Sequence, residues 1–383
     1  MPKRVAIVGI GQTKHEESKG HYIYYESSFE AAKRALEDAA LDRGDLDTVI
    51  ASGWDAIDGR TISDMHTCMA IGGYLKDSSH AAEDGIMALA YGYLRIASGL
   101  FDIALVAGHG HREANIDAVT RIIFDPLFAR PSGRNYLVTM AMQANAYMHK
   151  YGVSEEQAAK VVVKNRANGV RNPYAHLRSP VTLEEVLASR PVAYPLKALD
   201  CPPESVGAVV LILASEDVVR RITDKPVWIR GIGWAIESYE MGAKDLAEIP
   251  SLAAAAQRAY QMAGIKRPLD EFDVAEVHEA TSFHELMAYE GLGFAGAGQG
   301  AKLIEGGTTD MGGKLPVNPS GGSLCTNLFG ASGLVRAAEA ALQLRWEAHG
   351  RQVAGAKLAL AHGLSAPAGA AAPTNCVAIL ERG

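Results

Sequence analysis

The stretch SHAAEDGIMALAYGYLRIASG, residues 79–99, decides the fold. Nearly every side chain from 85 to 97 is apolar, and Arg95 is almost the only charge. A helix that is apolar on every face is typical of a helix buried on all sides. Asp84 precedes this run, where a carboxylate suits the positive end of the helix dipole, and FDIALVAG (101–108) follows it as a predicted buried strand. The sequence therefore predicts a central helix that leads into a central strand.

Length and composition are those of an ordinary folded protein. The chain has 383 residues, of which 48% are hydrophobic and 21% charged, enough for two domains or one duplicated fold. A net charge of −7 argues against nucleic-acid binding as the main task. We also expect no membrane span, because no stretch approaches the roughly 20 uninterrupted apolar residues that a span needs.

The cysteines and the first residues indicate a cytoplasmic protein. The four cysteines lie far apart and form no paired motif, which favours a reducing compartment without disulfides. They are Cys68, Cys201, Cys325 and Cys376. The opening MPKRVAIVGIG contains no hydrophobic region of the kind found in signal peptides.

Two parts of the chain repeat each other. RVAIVGIGQT (4–13) is echoed by PVWIRGIGWA (226–235), and a predicted helix follows each of these strands. DIALVAGHGH (102–111) is likewise echoed by KLALAHGLSA (357–366). These echoes predict a duplicated α/β fold whose halves meet near residue 225. A dinucleotide site at the first Gly-Ile-Gly is the weaker alternative, because the third glycine of that motif is missing.

Residues 117–198 interrupt the repeated pattern of strands and helices. Six prolines and two predicted helices, near 136–151 and 154–168, indicate an insertion that covers the core rather than joining its sheet. The insertion contains many cations. Each of them either belongs to a solvated helix face or contributes to a local site for phosphates.

Three stretches of the second half contain groups suited to chemistry. In 274–294, a predicted strand places His278 at a turn, where α/β enzymes put catalytic groups, although a lone histidine is more often structural. His284 lies six residues further on, a poor spacing for one helix face, so we expect no metal site. The stretch 315–333 is rich in turn residues before a long helix, and 361–369 is a predicted loop whose amides could bind an oxyanion.

Several segments together match a known family. They are VHEATSFHELMAYEGLGF (277–294), GGKLPVNPSGG (312–322), ASGLVRAAEAALQLRWEAHGRQV (331–353) and KNRANGVRNPYAHLRSPVTLEEVLASRPVAYPLKALDCPPES (164–205). They resemble the thiolase superfamily, and are most similar to the sterol-carrier-protein-x branch and its archaeal relatives. The resemblance covers essentially the whole chain.

This resemblance implies the thiolase fold, an α/β architecture of two βαβαβαββ halves in five layers (α-β-α-β-α), and an obligatory homodimer. The N-terminal half would comprise 1–116 and 199–224, and the C-terminal half 225–383. The insertion, 117–198, would be the loop domain that binds coenzyme A. No cofactor is expected to stay bound, since a coenzyme A thioester is the substrate. The candidate phosphate contacts are Lys164, Arg166 and Arg171.

The chain departs from the family at its cysteines. In the family, the nucleophilic cysteine lies three residues before a glycine at the start of the central helix. When Gly85 is aligned with that glycine, Ala82 takes the position of the cysteine, and alanine forms no acyl-enzyme. The acid/base cysteine of the family would stand at Ala280 or at about Gly363. Ordinary cysteine-dependent thiolysis is therefore not expected.

The family's histidines are only partly kept. CTNLFGASG is one residue shorter than the family's Gly-His-Pro segment, with Asn327 nearest to its histidine. Asparagine donates hydrogen bonds but is no general base near neutral pH. His278 matches a histidine that helps to form an oxyanion hole.

We predict from this an enzyme that cleaves or forms a C–C bond in an acyl-CoA, by retro-aldol or retro-Claisen chemistry. His278 and Asn327 are the candidate oxyanion donors. The candidates for the general base are His362, His278 and Asp84. Asp84 is also interpreted as a helix N-cap. Cys325 is either a displaced thiol or a buried structural cysteine.

A non-catalytic thiolase-fold subunit is the alternative. Such a subunit would bind acyl-CoA or only scaffold a partner enzyme. The resemblance also implies a small companion protein with a zinc ribbon and an OB fold, because related aldolases work with one. Nucleic acid and membrane are not expected as partners.

Overall fold

The fold is described by a computed structural model, in which residues 2–20, 23–111 and 115–383 are placed. These residues contain eleven strands: β1 Val5–Gln12, β2 Thr48–Ser52, β3 Asp77–Ala81, β4 Ile103–Gly110, β5 Pro191–Ala193, β6 Leu196–Lys197, β7 Gly207–Ser215, β8 Val227–Ile236, β9 Val274–Glu276, β10 Leu358–Ser365 and β11 Thr374–Arg382. They also contain thirteen α-helices: α1 Tyr24–Asp38, α2 Asp64–Ala70, α3 Gly85–Ala97, α4 Ile116–Ile122, α5 Tyr136–Tyr151, α6 Glu155–Gly169, α7 Leu183–Ala188, α8 Glu216–Ile222, α9 Pro250–Ala263, α10 Pro268–Glu271, α11 Ser282–Gly291, α12 Gly300–Glu305 and α13 Ser332–Arg345.

Nine strands of the described ranges form one mixed sheet in the order β3-β2-β4-β7-β1-β8-β11-β10-β9. The order β2-β4-β7-β1 in the first half mirrors β9-β10-β11-β8 in the second, and the halves meet where β1 pairs with β8. β3 extends the first half by pairing in parallel with β2. Val317 takes the corresponding place in the second half through one parallel bridge to Ala275 of β9. The predicted duplication is confirmed.

Two helices lie between the halves of the sheet. α3 and α13 contact each other, and each contacts strands of both halves. Ile7 of β1 packs in the cluster that contains these helices, whereas its neighbours Ala6 and Val8 face α1 on the other side. α9 covers β8 and β11 in the same way. The result is the predicted sequence of layers, α-β-α-β-α.

The repeated Gly-Ile-Gly segments bring each first strand against its helix. A Cβ on Gly11 would lie 2.1 Å from the carbonyl oxygen of Ala31 in α1, and a Cβ on Gly233 would lie 2.4 Å from that of Ala255 in α9. A side chain at either position would push the helix away from its strand. Helix packing therefore explains these glycines without a dinucleotide site.

The central helix has the predicted limits but not the predicted burial. Ile86 and Leu89 are fully buried, whereas Tyr91 and Leu94 are 50% and 44% exposed. The sheet ends at β3, so no further strand of the described chain covers this side of α3. The expectation of a helix buried on every face is wrong for this edge.

The described residues of the segment between β4 and β7 add no strand to the large sheet. It contributes α4 to α7 and a separate two-stranded sheet of β5 and β6. α5 and α6 coincide with the two predicted helices, and both contact α11 of the second half. Among the helices of the described ranges, none is long and apolar enough to cross a membrane.

Candidate active site

A cavity lies where the segment between β4 and β7 meets both halves of the fold. Trp54 of the first half, Tyr136 of α5, and His278 and Asn327 of the second half border it. Its remaining walls are largely apolar, so a hydrogen bond made inside competes with little water. The cavity is the candidate active site because it brings together two of the residues singled out in the sequence.

His278 is held as a neutral hydrogen-bond donor. The amide of Leu364 donates to its Nδ1 over 3.1 Å, which leaves the ring proton on Nε2. Burial, followed by the charges of His362 and Arg336, holds the pKa of His278 well below its ordinary value. The imidazole therefore stays uncharged, and its Nε2–H is the donor that it can offer to a ligand.

Asn327 is held in place through the oxygen of its side-chain amide. Its Oδ1 accepts from the backbone N–H of Phe329 over 3.1 Å and from the hydroxyl of Ser332 over 2.8 Å. These two donors assign Oδ1, so that Nδ2 and its two protons remain for the cavity. Ser332 begins α13, and the side chain of Asn327 is thus oriented by the start of that helix.

Asp84 caps two helices at once. Its carboxylate accepts from Ile86 at the start of α3 over 3.0 Å and from Gly333 at the start of α13 over 2.9 Å. Burial raises the pKa of Asp84 to about 7, and the N–H groups of Gly333 and Ile86 act against that rise. Its Oδ2 lies 3.8 Å from Nδ1 of His278. The arrangement matches the N-cap interpretation, and Asp84 does not border the cavity.

Ala280, one of the two positions expected for the family's acid/base cysteine, borders the cavity, whereas the remaining predicted residues do not. His362 is fully buried in β10, its Nε2 is 2.8 Å from Oδ1 of Asn375, and burial lowers its pKa to about 4. Cys325 is fully buried with its thiol directed at the carbonyl of Asn165, and burial raises its pKa to about 12. Ala82 lies exposed between β3 and α3. His362 is close enough to lower the pKa of His278, but neither His362 nor Cys325 borders the cavity.

The predicted loop at 361–369 is wrong in its first part. β10 continues to Ser365 and pairs with β11 along its length. Backbone amides of a strand are used by the sheet, and that of Leu364 is used by His278. The amide of Leu364 is therefore not available to bind an oxyanion.

The cations predicted to bind phosphate differ in exposure. Lys164 is buried, with its ammonium 2.5 Å from Glu285. Arg166 is also buried and donates to the backbone carbonyl of Ser179 over 3.0 Å. Arg171 is exposed. Only Arg171 has the exposure that a solvent-facing phosphate site requires.

A buried carboxylate pair beside the cavity is not evident from the sequence. The amides of Asn165 and Asn318 each donate to both Glu279 and Glu285. Burial, followed by the nearby Glu285, raises the pKa of Glu279 to about 8. These surroundings therefore favour the protonated form of Glu279. Its only sequence signal is the position of Glu279 directly after His278.

Comparisons with known proteins place the chain in a family. Residues 234–382 match the family model described as Thiolase C-terminal domain-like. The acetyl-CoA acetyltransferase of Methanothermobacter thermautotrophicus is 34% identical over 379 residues, covering 96% of this chain and 98% of that protein. Sterol carrier protein 2 of Gallus gallus is 32% identical, covering 95% of this chain and 70% of that protein.

A solved structure agrees with these relatives in fold. A chain of the Ltp2-ChsH2(DUF35) aldolase has a TM-score of 0.82 to this chain at 24% identity, covering 99% of this chain and 98% of its own. At this sequence identity, the similarity is evidence for the fold alone. The sequence relatives carry the assignment further: the chain belongs to the thiolase superfamily, and its relatives include sterol carrier protein 2 and archaeal acetyl-CoA acetyltransferases.

Proposed function

We propose that the protein is an enzyme that cleaves or forms a C–C bond beside the thioester of an acyl-CoA, without a covalent acyl-enzyme. One observation carries the proposal: His278 and Asn327 border the same cavity, and among the residues described, Nε2 of His278 and Nδ2 of Asn327 have no hydrogen-bond partner, whereas Nδ1 and Oδ1 accept from neighbouring groups. Two such donors stabilise the negative oxygen that forms when the bond next to a thioester breaks.

The residues at the family's cysteine positions support a non-covalent reaction. The resemblance puts Ala82 at the nucleophile position, and Cys325 is a buried thiol whose pKa is raised to about 12. A nucleophilic cysteine has to ionise. Retro-aldol cleavage needs no such group, because the β-hydroxyl loses its proton, the C–C bond breaks, and the electron pair moves to the thioester oxygen.

The names of similar proteins support the substrate class. The archaeal relative is called an acetyl-CoA acetyltransferase, and the structural neighbour an aldolase. Both names fit a cavity that stabilises an acyl-CoA enolate. The coenzyme A thioester is then a substrate, with no permanently bound cofactor, and Arg171 of the loop domain (117–198) is our candidate contact to its phosphates.

We also propose two protein partners. β3 is an edge strand and leaves Tyr91 and Leu94 of the neighbouring α3 exposed, which suits a second copy of the chain in a homodimer. The aldolase neighbour is named with a DUF35 subunit, which supports a small companion protein with a zinc ribbon and an OB fold. A cytoplasmic location agrees with the free thiols of all four cysteines.

The test is turnover of a defined panel by the purified protein, alone and with any co-purifying companion. The panel is 3-hydroxybutanoyl-CoA, 3-hydroxy-3-phenylpropanoyl-CoA and the two corresponding 3-oxoacyl-CoA thioesters. We expect C–C cleavage of at least one thioester, and an unchanged protein mass during turnover. Binding without any cleavage would establish the non-catalytic subunit instead, and an acyl adduct on Cys325 would contradict the non-covalent reaction.

A further inference from the structure

Tyr136 is the first residue of α5 and borders the candidate active site. The side chain of Asn135 caps this helix by accepting from the N–H of Val138 over 2.8 Å, so the start of the helix is held in place. The ring of Tyr136 meets that of Phe329 edge to face, with centroids 6.4 Å apart and an angle of 81°. Both contacts orient the phenol beside the cavity.

The hydroxyl of Tyr136 forms no hydrogen bond to a residue of the described ranges. The other tyrosines of α5 do form one: Tyr147 donates to Glu290, and Tyr151 donates to Glu248 over 3.1 Å. Tyr136 is half-buried, so a ligand that fills the cavity would displace water from its hydroxyl and would have to replace that hydrogen bond, because losing water without replacement is costly. A ligand in the cavity is the natural partner.

The surroundings keep this phenol protonated. Burial, followed by the nearby Cys201, Glu204 and Asp117, raises the pKa of Tyr136 above its ordinary value. Tyr136 and His278 are the residues with titratable side chains among those bordering the cavity in the described ranges. Since His278 is held as a donor by Leu364, Tyr136 is the group left to exchange a proton with a substrate.

We propose that Tyr136 is a catalytic residue whose hydroxyl contacts the β-oxygen of the acyl-CoA and relays a proton between that oxygen and the α-carbon. The proposal rests on the proposed function. It names the group that handles the proton, whereas His278 and Asn327 bind the thioester oxygen.

The relay is balanced without another reactant. In cleavage of a β-hydroxyacyl-CoA, the phenol oxygen accepts the β-hydroxyl proton while the phenol gives its own proton to the α-carbon. The Cα–Cβ bond breaks, the β-carbon becomes a carbonyl, and the α-carbon receives the electron pair and the proton. The thioester oxygen carries the negative charge transiently, and His278 and Asn327 donate hydrogen bonds to it during that time. Tyr136 is a neutral phenol before and after the step.

The test compares Tyr136→Phe with Tyr194→Phe, which removes an exposed hydroxyl from the same inserted segment. Calorimetry measures the affinity of each variant for 3-hydroxy-3-phenylpropanoyl-CoA and for 3-phenylpropanoyl-CoA, which lacks the β-oxygen. We expect the wild type and Tyr194→Phe to bind the hydroxylated thioester about tenfold more tightly, from one hydrogen bond in an apolar site. Tyr136→Phe should lose that preference at an unchanged melting temperature.

Turnover is the second readout. For the panel thioester that is cleaved, Tyr136→Phe should lower kcat at least about 100-fold, as expected for loss of an acid–base group. Equal affinity of the wild type for both thioesters, or kcat within threefold of wild type in Tyr136→Phe, would overturn the role of Tyr136. If no panel thioester is cleaved but the affinity preference depends on Tyr136, the contact stands and the proposed function fails.

Discussion

His278 and Asn327 act as donors because of what occupies their other polar atoms. Leu364 donates to Nδ1 of His278, and Phe329 and Ser332 donate to Oδ1 of Asn327. Flipping the amide of Asn327 would place its NH2 group against two donors, and rotating the ring of His278 would leave the N–H of Leu364 without an acceptor. Pre-oriented donors need no rearrangement as charge develops on a substrate oxygen, and this makes them effective in catalysis.

Asn327→Asp should remove one donor and introduce a negative charge at the same place. We expect kcat to fall by more than the roughly 100- to 1,000-fold that is usual for losing an oxyanion donor alone. Steady-state kinetics on the cleaved thioester measure this effect. Asn327→Ala removes the donor without adding a charge, so its kcat should fall less than that of Asn327→Asp. Undiminished turnover by Asn327→Asp would exclude Asn327 from contact with the developing charge.

Asp84→Asn should change how stability depends on pH. The folded chain raises the pKa of Asp84 from 3.8 to about 7. Folding therefore favours the protonated form, and this carboxyl costs stability as pH rises between those values, by at most roughly 1.4 kcal/mol per pH unit. Urea unfolding from pH 4 to 8 should give a wild type that loses stability relative to Asp84→Asn over this window. Parallel curves would contradict the raised pKa.

Sequence motifs predicted two residues that meet at one cavity, but they did not predict where the other candidate side chains lie. His278 and Asn327 follow from the family segments and do border one cavity. Cys325 lies two residues from Asn327, yet the intervening turn sends its thiol toward Asn165 in the interior. Tyr136 gave no signal, because only the fold brings the inserted segment against the end of β9.

At the scale of elements, the site depends on where helices begin. α3 and α13 start side by side, so that the carboxylate of Asp84 accepts from both first turns. This contact needs Gly333, since a Cβ there would lie 2.2 Å from Oδ1 of Asp84. The start of α13 also supplies the hydroxyl of Ser332 that orients Asn327.

Lys164 and Lys160 lie one turn apart on α6 and should behave differently. Lys164→Ala leaves Glu285 buried without its cation, and we expect a loss of about 3–5 kcal/mol in the free energy of unfolding. Lys160→Ala breaks only exposed ion pairs and should cost less than about 1 kcal/mol. Chemical denaturation measures both. Equal stability of the two variants would show that the ion pair of Lys164 is not structural.

Helix limits were predictable where apolar runs and end residues agree. α3 begins at Gly85 and ends at Ala97, as its composition indicates. Exposure was not predictable, because the edge of the sheet beside Tyr91 and Leu94 is set by the order of strands far apart in sequence. The extension of β10 into the predicted loop has a similar cause, since β11 supplies its partner from beyond that loop.

At the scale of the molecule, duplication explains the position of the cavity. The two halves bring α3 and α13 together in the middle layer, and the inserted segment closes the space beside them. The short repeats in the sequence were sufficient to predict this symmetry. Glycines that let a helix pack closely against a strand recur at the same place in both halves.

Leu94→Glu should separate the proposed homodimer. A charge on this exposed side of α3 costs little in the folded chain but is unfavourable in an apolar interface. Light scattering after gel filtration should give half the mass of the wild type. Met262→Glu in α9 has similar exposure and should stay dimeric. A monomeric wild type would contradict the homodimer.

The central claim is that His278 and Asn327 receive the oxygen of an acyl-CoA thioester that never becomes attached to the chain. A crystal structure with 3-phenylpropanoyl-CoA bound tests it most directly. The claim predicts an intact thioester whose carbonyl oxygen lies about 3 Å from both Nε2 of His278 and Nδ2 of Asn327. A carbonyl oxygen beyond the reach of both donors, or an acyl group bonded to Cys325, would contradict it.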